Sequence, residues 1–114
     1  MQLKLYFSWR IYASMTPFEA VAEPSRRAIL DTLRRGEQPA GDIVSAVGLS
    51  QPGVSKHLKL LREAGLVSVR ADGQRRLYRL QPQGLEELEA WLAPYRHFWA
   101  DRLAALDEHL EQDQ

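Results

Sequence analysis

Four polar side chains near the start of one short segment carry most of the chemistry in this sequence: Gln51, Ser55, Lys56 and Lys59. Their spacing puts them on one side of a helix. Glutamine pairs bidentately with adenine, lysine takes guanine or a phosphate oxygen, and serine serves most bases. Such a face suits the major groove of DNA, which admits a helix and is read mainly by residues near its N-terminus. Ser50, just ahead, is suited to cap that helix. The run Gln74-Arg75-Arg76, at the tip of a hairpin, forms a second cationic group, fit for phosphates or a neighbouring minor groove. The plainer reading of both groups is a solvated charged surface. No nucleophile paired with a base and no glycine-rich phosphate loop is visible, so catalysis is not expected.

The elements that must hold these residues are short. Ala40–Val47 carries Ile43, Val44 and Val47 at helical spacing and closes at Gly48. After the turn Gly48-Leu49-Ser50, a second helix runs to Ala64 with Val54, Leu58 and Leu61 as its apolar stripe and Gly65 beyond its end. Two helices joined this way are a helix-turn-helix candidate. Alternating residues 66–70 and 75–80 flank Asp72-Gly73, the strongest short-range signal of a β-hairpin. Upstream, Thr16-Pro17 starts a short helix. Pro24 opens another, with Ile29, Leu30 and Leu33 inward and Gly36 at its end. Downstream, Leu85, Leu88, Leu92, Tyr95, Trp99, Leu103, Leu106 and Leu110 recur every three or four residues. Pro94 should kink or split that helix, and the acidic tail from Asp107 should fray. Residues 3–11 alternate as a strand does, yet Leu3, Phe7, Ile11 and Met15 also fit a helix.

Zero net charge over 114 residues argues at first against a nucleic-acid partner, but the charges are segregated. Residues 50–80 hold seven basic against two acidic side chains, whereas residues 81–114 hold two basic against eight acidic. Such asymmetry points to a polyanionic partner for the middle segment. With no cysteine, there are no disulfides, thiolate metal sites or cysteine nucleophiles. No apolar run is long enough for a membrane span, so no membrane partner is expected. Lys4 and Arg10 interrupt any signal-peptide core, so export is not expected and a cytoplasmic location is the default.

From Glu23-Pro24-Ser25-Arg26-Arg27 to Leu80 the sequence resembles the ArsR/SmtB family of winged-helix repressors. The likeness rests on residues 49–61 (LSQPGVSKHLKLL), on residues 62–67 (REAGLV) and on the basic wing of residues 72–80 (DGQRRLYRL). With Phe18 and the C-terminal helix it covers about 90 residues. It implies a mostly α fold with a two-stranded wing. The function it implies is a homodimeric repressor, often of its own gene, that binds a double-stranded DNA operator through Ser50, Gln51, Ser55, Lys56, His57, Lys59, Arg70, Gln74, Arg75 and Arg76. It also implies terminal segments that form the dimer interface. The organisation expected is residues 1–15 as an N-terminal dimerisation segment, 16–81 as the winged helix-turn-helix and 82–114 as a dimerisation helix, in one compact domain. The family's usual start falls near Met15, so residues 1–14 look like an extension or an early-assigned start.

Metal sensors of this family carry Cys-x-Cys-Asp where this chain has Pro39, Ala40, Gly41 and Asp42, so both thiolates are missing. His97 with Asp101, or His109 with Asp113, offers two ligands each, which does not close a zinc sphere within one chain. No metal and no cofactor are expected, and the effector is not identified. His57 has two readings, one with the ring on a DNA phosphate and one with the ring packed at the helix-turn-helix junction. Eight of the ten aromatic residues lie in residues 6–12 and 91–99, too many rings for so small a core. Dimer contacts are therefore expected from Phe7, Trp9, Phe18, Trp91, Tyr95, Phe98, Trp99, Leu103 and Leu106. The alternative in a different class is a winged-helix protein–protein adaptor, which would more often expose an apolar patch where Gln51, Ser55, Lys56 and Lys59 stand. A second alternative keeps DNA binding and adds control by a metal or small-molecule effector.

Overall fold

The computed structural model describes residues 15–112. The alternation in residues 3–11, and with it Phe7 and Trp9, lies outside the described residues.

Among the described residues, two short helices come first. Helix α1 (Pro17–Val21) starts in a reciprocal cap: Thr16 Oγ1 accepts from the Glu19 N–H at 3.2 Å, and Glu19 Oε1 accepts from the Thr16 N–H at 3.1 Å. Helix α2 (Pro24–Leu33) is capped by the Glu23 carboxylate, which accepts from the Arg26 N–H at 3.0 Å. Helix α3 (Ala40–Val47) ends on left-handed Gly48, and α4 (Gln51–Glu63) begins with Ser50 Oγ accepting from the Gly53 N–H at 3.1 Å.

The end of α4 is a Schellman turn. Leu66 N–H donates to Leu61 at 3.0 Å and Gly65 N–H to Arg62 at 3.1 Å, with Gly65 at φ 74°. Leu61 and Leu66 are both fully buried there, beside Ile29, Ile43, Val54 and Leu58. This apolar set, drawn from α2, α3, α4 and the start of the wing, is the core that fixes the helix-turn-helix.

The wing is the antiparallel pair β2 (Val67–Asp72) and β3 (Arg75–Leu80). The turn is placed differently from the sequence expectation. Asp72 stays in the strand opposite Arg75, and Gly73 and Gln74 make the loop. Gly73 has φ 64° and, among the described residues, only glycines have a positive φ, so Gln74 does not; this is the pattern of a type II′ turn with glycine first. A third strand, β1 (Gln38–Pro39), pairs with β3, so among the described residues the two-stranded wing is part of a three-stranded sheet in the order β1-β3-β2, a strand the sequence reading did not anticipate.

Helix α5 (Pro82–Gln112) is a second correction. It runs unbroken through Pro94, and the acidic tail is helical to Gln112 instead of frayed. Pro94 leaves the carbonyl of Ala90 without its helical donor, but both residues are exposed, so water can serve that carbonyl. At its base α5 is held against α4: Gln81 N–H donates to Leu66 and Gly84 N–H to Gly65, both at 2.8 Å.

Candidate nucleic-acid interface

Because the apolar stripe of α4 faces the core, its other side must face outward. Gln51, Ser55, Lys56 and Lys59 are all exposed there, and Ser50 is exposed at the cap. Arg62 belongs to the same side, eleven residues on from Gln51 and seven from Ser55. Sequence reasoning missed it, although its helical phase was there to be used. Between α4 and β2 lies a groove of about 480 Å³ lined by Lys59, Arg62, Glu63, Val67, Ser68 and Val69. Arg79, also missed, donates through Nε to Ser68 Oγ at 3.1 Å and so brings a further cation to this groove. A basic lining between an exposed polar helix face and a wing fits a nucleic-acid backbone.

The wing cations divide. Gln74, Arg75 and Arg76 are exposed at or beside the tip. Arg75 is held by Asp72 across the turn, with Nη2 donating to Oδ2 at 3.1 Å. Arg70 is in a two-pronged pair with Glu37, its Nε and Nη2 donating at 2.8 and 2.7 Å. The Arg70 guanidinium holds the Glu37 carboxyl below the usual carboxylate range, and the same pair raises Arg70. Arg70 therefore braces the wing against the α2–β1 connection, and a phosphate would have to compete with Glu37 for it.

The His57 ring lies at the helix-turn-helix junction. Its Nδ1 lies 3.5 Å from Arg26 Nη1 and its Nε2 3.9 Å from Glu23 Oε2, on the side of α4 away from Lys59. The partner is a side chain, not the backbone. Arg26 is nearly fully buried, and it donates from Nε to Ala20 at 2.8 Å and from Nη2 to Glu19 at 3.3 Å. Partial desolvation would raise the Glu23 carboxyl, but the N–H groups of Ser25 and Arg26 and the His57 ring outweigh it and hold it low. This cluster fixes the entry of α2 against α4.

Of the residues expected at a dimer interface, Phe7 and Trp9 lie outside the described residues, Phe18 stands on α1, and the other six fall on one strip of α5. Trp91, Tyr95, Phe98, Trp99, Leu103 and Leu106 are each 50–59% exposed. Phe18 of α1 meets Trp91 edge-on at 5.9 Å, the Trp91 and Tyr95 rings lie tilted to each other at 5.0 Å, and Arg102 sits over the Phe98 ring at 4.9 Å. Arg96 pairs with Glu89 on the polar side. Among the described residues, no group of three or more His, Asp or Glu is placed to hold a metal ion, and no helix is long and apolar enough to cross a membrane.

Comparison with known proteins agrees with this geometry. Residues 23–69 match the family described as "Bacterial regulatory protein, arsR family". The chain is 35% identical over 96 residues to the HTH-type transcriptional regulator Rv2034 of Mycobacterium tuberculosis, covering 84% of this chain and 87% of that one. It is 37% identical over 75 residues to the transcriptional repressor SdpR of Bacillus subtilis, covering 66% of this chain and 83% of the other. Among solved structures, it matches the homodimeric winged helix-turn-helix DNA-binding domain of Mb0332 from Mycobacterium bovis, described as a possible ArsR-family regulator. The TM-score is 0.59 at 31% identity, over 71% of this chain and 75% of that one. With the capped helix pair, the basic wing and these likenesses together, the chain belongs to the arsR family of bacterial regulatory proteins and is a winged helix-turn-helix DNA-binding transcriptional regulator.

Proposed function

We propose that two copies of this chain pair through α5 and repress transcription by covering an inverted-repeat operator, as a non-enzymatic regulator of the bacterial cytoplasm. The observation that carries the reading is the outward face of α4, where Gln51, Ser55, Lys56, Lys59 and Arg62 run directly into the basic groove and wing. Gln51 and Ser55 read base edges, and Lys56, Lys59, Arg62, Gln74, Arg75 and Arg76 contact the backbone. Ser50 adds a contact at the helix start, and Arg70 is shared between Glu37 and DNA. His57 positions α4 through Arg26 without touching DNA. Residues 16–81 form the reading unit and α5 the dimerisation unit.

The dimer follows from the exposed strip on α5. Seven large apolar residues of α5, Leu110 included, are at 50% exposure or more, an apolar strip of a kind monomers rarely leave open. A two-fold axis covers both strips with one self-complementary surface and sets two α4 helices about 34–36 Å apart on one face of the duplex. A mobility-shift assay on the DNA upstream of the protein's own gene, with sedimentation of the free protein, tests this. Two chains per shifted inverted repeat is the expected result. No preference for that DNA over random duplex, or a monomer that binds operator fully, refutes it.

A further inference from the structure

A second concavity has no residue of α4 in its lining. Its walls are Arg27, Leu30, Asp31 and Arg34 along one side of α2, Leu80 at the end of β3 and Leu85 in α5, around about 360 Å³. That volume is within the range of small-molecule sites, roughly 300–1,000 Å³. Three leucines form its floor. Two guanidiniums and one carboxylate rim it, so its net charge favours an anion. Arg27 is already fixed, its Nη1 donating to the Val21 carbonyl at 2.7 Å, which leaves the rest of its fork for another acceptor. Arg34 stands seven residues on, two helical turns along the same side. Leu85 lies about 120° round α5 from Trp91, at the edge of the strip assigned to the partner copy.

We propose that this pocket binds a small amphipathic monocarboxylate, its carboxylate on Arg34 and Arg27 and its hydrocarbon body over Leu30, Leu80 and Leu85. The position gives such a ligand leverage on DNA binding. Leu80 and Leu85 flank the turn that is hydrogen-bonded through Gln81 to Leu66 and through Gly84 to Gly65, at the end of α4. A body wedged between α2 and that turn works on the same joint that seats α4 and the wing. The regulatory half of the proposal rests on the repressor reading; ligand binding does not.

Octanoate is a suitable probe, with uncharged octanamide as its control and the full chain as target. Calorimetry without DNA is expected to show one saturable octanoate per chain. Binding should be about tenfold weaker for octanamide and for Arg34→Gln, which lose a charge-assisted contact. Leu85→Glu, which places a carboxylate over the floor, should abolish it. Operator affinity measured by fluorescence anisotropy should change about fivefold or more on adding octanoate to wild type. It should not change in Arg34→Gln, whose affinity without octanoate should match wild type. Equal binding of octanamide, no saturation, or undiminished binding in both variants overturns the site. Saturable binding with unchanged operator affinity overturns its regulatory role. Failure of the octanoate-free protein to bind operator would instead refute the repressor reading and leave the calorimetric result to stand.

Discussion

Replacing Gly84 by alanine adds one methyl group at the base of α5. On helix propensity alone it stabilises the protein, by about 1 kcal/mol. The structure reverses the sign. A Cβ at position 84 would lie 2.7 Å from the Gly65 carbonyl oxygen, 2.9 Å from that of Ala64 and 2.9 Å from the Gly65 carbonyl carbon. All three are backbone atoms in the Schellman turn that ends α4, so no side chain can swing aside. Either α5 backs away or the turn deforms, and both lengthen the 2.8 Å bond from Gly84 N–H to Gly65. Overpacking of this kind costs about 1–3 kcal/mol and a weakened buried hydrogen bond about 1 more. After the propensity gain, net destabilisation is about 1–3 kcal/mol, or a drop of about 4–12 °C in Tm. Denaturant melts at one fixed chain concentration measure this, with exposed Gln83→Ala as a control expected within about 0.5 kcal/mol of wild type. Operator affinity should fall alongside, because the displaced turn is the end of α4. A Gly84→Ala protein as stable as wild type, or more so, would refute the reasoning.

Ala substitution of Arg75, Arg76 or Arg62 should flatten log K against log salt by about one unit per lost phosphate contact while leaving sequence preference in place. Unchanged slopes in all three would take the wing and groove off the DNA. Gln51→Ala or Ser55→Ala should cost about 1–3 kcal/mol on the preferred operator and relax specificity there; equal losses on random duplex would demote both to positioning contacts. Trp99→Asp, far from the α4 face, should weaken dimer and operator binding together, and sedimentation of an intact dimer would count against the α5 interface. Because Glu37 and Glu23 titrate below their ordinary value in the folded chain, their contribution to stability is present above that value and is lost as the pH falls through the lowered ones. Glu37→Gln should therefore flatten the acid side of the stability–pH curve, and a curve superimposable on wild type would show that the Arg70 pair contributes nothing.

What could be read from the sequence was whatever depends on near neighbours. The caps at Thr16 and Ser50, the stops at Gly48 and Gly65, and the stripe Val54–Leu58–Leu61 are local chemistry, and the helices fall where those residues put them. Most of the misses are tertiary. Gln38 and Pro39 carry no strand signal, yet they lie alongside Tyr78 and Leu77, while the Gln38 side chain donates to the Thr32 carbonyl at 2.6 Å. The hairpin turn falls one residue later than expected because Gly73, with its φ of 64°, takes the first loop position that only glycine fills easily, which leaves Asp72 in the strand opposite Arg75. Splitting at Pro94 was expected from the missing N–H, but an exposed site tolerates it. At the site, the phase of α4 was legible, and Arg62 could have been found from it. The sequestering of Arg70 by Glu37 and of His57 by Arg26 and Glu23 depends on residues more than thirty positions apart, beyond any periodicity.

The close seat of Gly84 on Gly65 also makes α5 a lever with its fulcrum at one end. From Gly84 to Gln112 the helix extends about 42 Å at 1.5 Å per residue. A tilt of only about 5° at the fulcrum would carry the far end through almost 4 Å, close to the rise between successive base pairs. Angular play at that joint would turn into uncertainty in the distance between two reading heads. A backbone-to-backbone seat with no intervening side chain leaves little of it, so a bare glycine at the joint gives a two-headed molecule a fixed ruler.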